Sequence, residues 1–164
     1  MTNSDSGGKK VRIVCKGNSF YDQSGNVMLF RKDVVAEHPG FRINCEEMEV
    51  LLEDNTVGFG DHAKSAAPGK GRDASGIRRA VAMGKGSLID LVRFTPKGNL
   101  MGKCGYAIYD GRTGDIELHD WPVVSNGTRV YRAKKKETIM TIRQNGNHVV
   151  KGEAIEEAAG KEGL

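Results

Sequence analysis

The densest group of residues able to do acid–base or metal chemistry in this 164-residue chain is Asp110, Asp115, Glu117, His119 and Asp120. Paired carboxylates on neighbouring strands can hold Mg²⁺ against a phosphodiester, with a base such as Lys103 steadying the leaving phosphate. The same residues suit a hydrated hairpin loop, because the Asp110-Gly111 and Thr113-Gly114 pairs favour turns, and that reading is the stronger. Ser87 and Cys104 have no His or Asp partner at a recognisable spacing, so nucleophilic catalysis has no support. Gly84-Lys85 invites comparison with a phosphate loop. That loop needs a glycine with four residues between it and the pair, and a hydroxyl directly after. Arg79 and Gly86 occupy those places.

Metal sites fare no better. His38, His62, His119 and His148 are scattered, and Cys15, Cys45 and Cys104 form no Cys-x-x-Cys pair. Three cysteines cannot make a paired disulfide framework, so they are expected to be reduced and buried. The chain is read as a non-enzyme with no cofactor and no metal. Residues 1–8 are polar where a secretory signal would be basic and then apolar, and no apolar run approaches the ~20 residues that cross a bilayer. A soluble, cytoplasmic protein with no membrane partner is the expectation.

Charge is the more informative signal. The formal net charge is only +4, but its distribution is uneven. Residues 64–103 carry nine bases against two acids, and residues 129–151 carry seven against one, whereas 42–61 and 153–164 are acidic. Basic blocks of this kind can track a polyanion, each phosphate contact releasing condensed counterions and lowering log K by about 0.9 per log unit of salt. The candidate contacts are Lys70, Arg72, Arg78, Arg79 and Lys85 in one block and Arg129, Arg132, Lys134, Lys135 and Lys136 in the other. Tyr106, Tyr109, Trp121 and Tyr131 can stack on bases, although core and barrel-rim positions suit them better. No helix carries a row of base-reading side chains, so duplex bound through its phosphates ranks above sequence-specific recognition.

The elements that must position these residues are mostly extended. Residues 1–10 read as a disordered leader. Residues 11–54 read as a hairpin, from 10–15 and 27–30, followed by a short helix over 45–54. There Asn44 serves as cap, Glu46 and Glu47 sit in the first turn, and Met48, Leu51 and Leu52 form an apolar face. Residues 55–86 are a basic glycine-rich connector. Residues 87–152 carry short strands at 8–12-residue spacing, with an Asn145-Gly146 hairpin turn, and suit a small β-barrel. Residues 153–164 suit a helical cap and tail. The fold class expected is therefore α+β, with an N-terminal β-hairpin and helix and a C-terminal small barrel.

The rhythm of Gly127–Val130, Lys134–Lys136, Thr138–Ile142 and Asn145–Val150 resembles SH3-like barrels of the KOW and Tudor kind. It lacks their glycine between the first two strands, where Lys134–Lys136 stands. In size, polarity and charge the chain is also similar to small early bacteriophage proteins that modify host transcription. Those resemblances imply a nucleic-acid or protein-tail binding module. The function expected is non-enzymatic binding of double-stranded DNA, acting in transcription or compaction. A module engaging a host protein and a metal-dependent nuclease are the alternatives.

Overall fold

The computed structural model describes residues 10–53 and 75–159. Fourteen strands make up one antiparallel sheet. They are β1 (Arg12–Val14), β2 (Ser19–Asp22), β3 (Val27–His38), β4 (Phe41–Leu52), β5 (Ile77–Met83), β6 (Ile89–Thr95) and β7 (Gly98–Cys104). The rest are β8 (Tyr106–Asp110), β9 (Ile116–His119), β10 (Val123–Ser125), β11 (Arg129–Ala133), β12 (Ile139–Ile142), β13 (His148–Lys151) and β14 (Ala154–Ala158).

The pairing explains the architecture. One edge of β4 serves two partners: Phe41–Asn44 pairs with β6 and Glu47–Leu52 with β5. The outer edge of β3 is divided in the same way, between β1 and β2. Two arms therefore spread from these long strands. The first runs β2, β3, β4, β5, β8, β9, β12, β13, and the second runs β1, β3, β4, β6, β7, β10, β11, β14. From β5 onward the chain alternates between arms, crossing at residues 84–88, 105, 120–122, 134–138 and 152–153. Eight bent segments in sequence order are thus folded over a common ridge, and the arms face each other below it.

The ridge is held by backbone hydrogen bonds from one crossing to the next. Gly84 N–H donates to Gly105 O at 2.9 Å, Gly105 N–H to Asp120 O at 2.9 Å, and Lys134 N–H to Glu153 O at 2.9 Å. Bending an extended chain this sharply requires residues that leave the β region. Six described non-glycine residues have positive φ, and five of them, Lys32, Asp33, Lys85, Asp120 and Trp121, lie on the ridge. A side chain at Gly105 would collide with the Asp120 carboxylate, so the crossing there needs glycine.

Between the arms lies a single apolar core. On β9 and β12, Ile116, Leu118, Met140 and Ile142 are wholly buried, facing Ile89 and Leu91 of β6. Cys45 and Cys104 belong to this core, and burial pushes both thiols up to about 12, which keeps them protonated. Cys15 is only half-buried.

The expected α+β architecture is corrected on three counts. Among the described residues there is no helix. The segment 45–54 begins with eight residues of β4, because Met48, Val50 and Leu52 all face the core and Glu49 faces out. Ala154–Ala158 is strand β14, not a helical cap, paired with β11 over its whole length. The C-terminal strands do not close on themselves as an SH3-like barrel. They continue the sheet that begins at β1, so residues 127–150, which carry the KOW and Tudor resemblance, contribute β11, β12 and most of β13 to that sheet. The leader residues 1–9, connector residues 54–74 and tail residues 160–164 lie outside the described residues.

Gly102 sets how closely the arms approach. A Cβ there would lie 2.7 Å from Leu118 Cδ2 on the opposite arm and 3.4 Å from Leu91 Cδ2. Gly102→Ala should lower unfolding stability by about 1–3 kcal/mol through overpacking, read from the denaturant midpoint. An unchanged midpoint would show that the arms do not touch at this position.

Candidate binding site

The interior between the arms, here called the trough, is filled by that apolar core, with the ridge above it and a rim below. Along that rim, among the described residues, no strand pairing or backbone hydrogen bond joins one arm to the other. Closure is made by side chains. His38 stacks on Phe41 with ring centroids 4.3 Å apart, and Tyr109 from the opposite arm packs 4.7 Å from Phe41 and 5.4 Å from His38. Further along, Tyr131 of β11 meets His148 of β13 at 4.4 Å. Such ring pairs contribute of order 0.5–1.5 kcal/mol each beyond their buried area, far less than a strand ladder.

Polar groups decorate this rim while the trough above it is apolar. Residues opposed in an antiparallel ladder share a face, so Tyr131, Glu156, Ala133 and Ala154 point the same way, towards the trough. Arg129 pairs with Glu156 at 3.6 Å. Burial pushes His148 below its ordinary 6.5, and the nearby Glu156 charge partly opposes this. Beside the clasp, on the face shared by Ile89 and Leu91, stands Arg93, opposite Phe41 and Leu100 and only 3 % exposed. It is the one buried charged residue among the described residues.

A second concavity lies outside the trough. A cleft of about 690 Å³ at the ridge is walled by Val81, Met83, Leu88, Tyr106 and Trp121. Trp121 and Leu88 are about half exposed there. Gly84–Ser87, Gly105 and Asp120 complete its lining, and its charged groups, Lys85 and Asp120, are not buried, whereas Arg93 is.

The ten bases expected to track phosphates do not form one face. Lys70 and Arg72 lie outside the described residues. Arg78 and Arg79 are exposed on β5, in a shallow groove with Asp110, Arg112, Asp115 and Glu117. Lys85 sits on the ridge 3.6 Å from Glu47. Arg129 and Arg132, an odd number of residues apart on one strand, point to opposite faces, and they pair with Glu156 and Glu157 of β14. Lys135 reaches Glu153 at 3.1 Å and Lys136 reaches Asp120 at 3.9 Å, while Lys134 is exposed at the same crossing. Glu153, Glu156 and Glu157 are thus folded against the basic block that precedes them.

Of the carboxylate group, Asp110, Asp115 and Glu117 line that same groove and Asp120 does not. Asp110 Oδ1 accepts from Arg112 N–H at 2.8 Å in the β8–β9 turn, Glu117 is 3.0 Å from His119, and Asp120 lies on the ridge at the far end of β9. Among the described residues no three His, Cys, Asp or Glu side chains are grouped to hold a metal ion. Arg93 is the residue that charge counting misplaced among surface cations. The alternation Ile89-Asp90-Leu91-Val92-Arg93 already puts it on the apolar face of its strand.

His148 links the rim to pH. Its neutral form is favoured in the folded protein, so its stabilising contribution is present above the ordinary histidine pKa and is lost as pH falls below it. Lowering the pH from about 7.5 to about 5.5 should therefore reduce the urea midpoint, and His148→Phe should flatten that dependence. An identical pH profile in the variant would show that His148 does not set it.

No family model matches the chain, and no curated protein matches it. Among solved structures it superposes on LptH, described as the LptA-homologous periplasmic component of the conserved lipopolysaccharide transport device from Pseudomonas aeruginosa, with a TM-score of 0.64. Sequence identity is 12 %, over 88 % of this chain and 82 % of that one. This likeness, with the dispersal of the described bases, overturns the expectations of duplex DNA as partner, a transcriptional role and a cytoplasmic setting. What the chain shares with LptH is the fold, a nearly closed, all-antiparallel roll with an apolar interior.

Proposed function

We propose that the chain binds an amphiphile of the lipopolysaccharide class, holds its acyl chains between the two arms, and passes it on within a periplasmic transport relay. The observation that carries this reading is the closure of an apolar trough by side-chain clasps alone. Acyl chains can enter by parting His38 and Phe41 from Tyr109, and Tyr131 from His148, while every ladder and ridge hydrogen bond stays intact. Apolar surface bared as the arms part is covered again by the acyl chains, at roughly 25 cal/mol per Å² kept from water. The likeness to LptH supports the same ligand class and compartment. The outer edges of β1, β2, β13 and β14, unpaired among the described residues, suit strand addition by neighbouring components of such a relay.

Strand β13 supplies its own control, because Val150 is half-buried towards the trough and Val149 is exposed on the other face. Lipopolysaccharide should displace a bound fluorescent probe, 1-N-phenylnaphthylamine, from the wild-type protein. Val150→Glu should weaken that displacement at least about tenfold, since a carboxylate in an apolar site carries a desolvation cost, and Val149→Glu should leave it within about twofold. Equal effects of the two substitutions, or no displacement by the wild type, would count against the trough as the binding site.

A further inference from the structure

The packing of the fold does not explain Arg93. Its side chain projects from β6 into the trough near the rim, and neither Nε nor Nη1 has a hydrogen-bond partner. Burial presses the guanidinium below its ordinary range, against which the Tyr109 hydroxyl and the Asp115 carboxylate on the opposite arm act without hydrogen-bonding those two nitrogens. A buried cation with two unsatisfied donors is costly, and an apolar side chain of similar size would serve the core better. The arrangement is, however, suited to an incoming anion. Two guanidinium N–H groups side by side match the oxygens of a phosphate or carboxylate, and in a water-poor site such charge-assisted bonds are strong.

We infer that Arg93 receives the anionic headgroup, a phosphate monoester or a similar oxyanion, of the amphiphile held between the arms. The inference rests on the amphiphile reading and adds to it the chemistry that is recognised. Position supports it: Arg93 is two residues from the end of β6, below Ile89 and Leu91 and beside the His38, Phe41 and Tyr109 clasp. An acyl chain rising along the interior would leave its headgroup at this level. The turns of the two arms also meet here, Thr95 Cγ2 lying 3.1 Å from where a Cβ on Gly146 would sit.

The test compares three probes on the full-length protein: monodecyl phosphate, decanol and inorganic phosphate. The wild type should bind monodecyl phosphate at least about tenfold more tightly than decanol. Arg93→Met should abolish that preference while keeping decanol affinity within about twofold, and its melting temperature should be equal or higher because the orphaned charge is gone. Should Arg93→Met fail to fold, Arg93→Gln carries the same comparison. Decanol and its phosphate bound equally by the wild type would overturn the role of Arg93 and leave the amphiphile reading standing. A preference that survives in Arg93→Met would overturn it as well. Inorganic phosphate bound as tightly as the decyl ester would make the anion a free one and overturn the headgroup assignment. Failure of both alkyl probes to bind would remove the amphiphile reading and this inference together.

Discussion

An antiparallel ladder can be folded sharply only if its backbone hydrogen bonds survive the bend, and this constraint shapes the whole molecule. At the ridge each crossing must give up extended geometry without leaving its neighbours unbonded. Lys32 and Asp33, Lys85, and Asp120 with Trp121 adopt left-handed backbone conformations to do so, at roughly 1–3 kcal/mol each. Successive crossings are joined by N–H donation where Lys16 bonds Lys32, Gly84 bonds Gly105, Gly105 bonds Asp120 and Lys134 bonds Glu153. Five of the six strained non-glycine residues lie on the ridge; below it the ladders are interrupted at Leu51/Leu52, next to the Asn26 turn.

It follows that the arms are coupled strongly above and weakly below. Along the ridge they share a continuous backbone, whereas at the rim they meet through rings and a few polar side chains. Opening the rim separates apolar and aromatic side chains but breaks no ladder, which makes it a low-energy motion relative to unfolding. A sheet built this way can admit a long flexible chain along its length without a preformed cavity. The close approach at Gly102 marks where the closed state is tightest, one strand away from the buried guanidinium on β6.

Much of the strand content was legible in the sequence, since β6, β9, β11, β12 and β13 fall on segments whose β-branched and alternating residues mark them as extended. The ridge was not, and it accounts for the largest error. Within β4 the buried residues are Phe41, Ile43 and Cys45, then Met48, Val50 and Leu52, so the alternation changes parity at Glu46 and Glu47. That change is where the strand passes from one arm to the other, opposite the irregularity at Lys32 and Asp33 on β3. Read locally, the interrupted alternation places Met48, Leu51 and Leu52 at helical spacing. The tail was misread for a related reason: Ala and Glu favour helices in isolation, but pairing with β11 supplies a ladder that outweighs local preference.

Charge was misread because linear segregation was taken for spatial segregation. In an antiparallel sheet a basic segment and an acidic one that follow each other at a distance can become direct neighbours, and β11 with β14 is such a case. Exposed pairs of this kind contribute at most about 1 kcal/mol, so they are weak supports for the fold. Their larger effect is to cancel the field that would have attracted a polyanion. Arg93 escapes this cancellation because its strand position turns it inward, where no carboxylate bonds its Nε or Nη1. What sets the interior apart is therefore not one of the many charges that composition displays on the surface, but the one buried base among the described residues, carried inward by the alternation of β6.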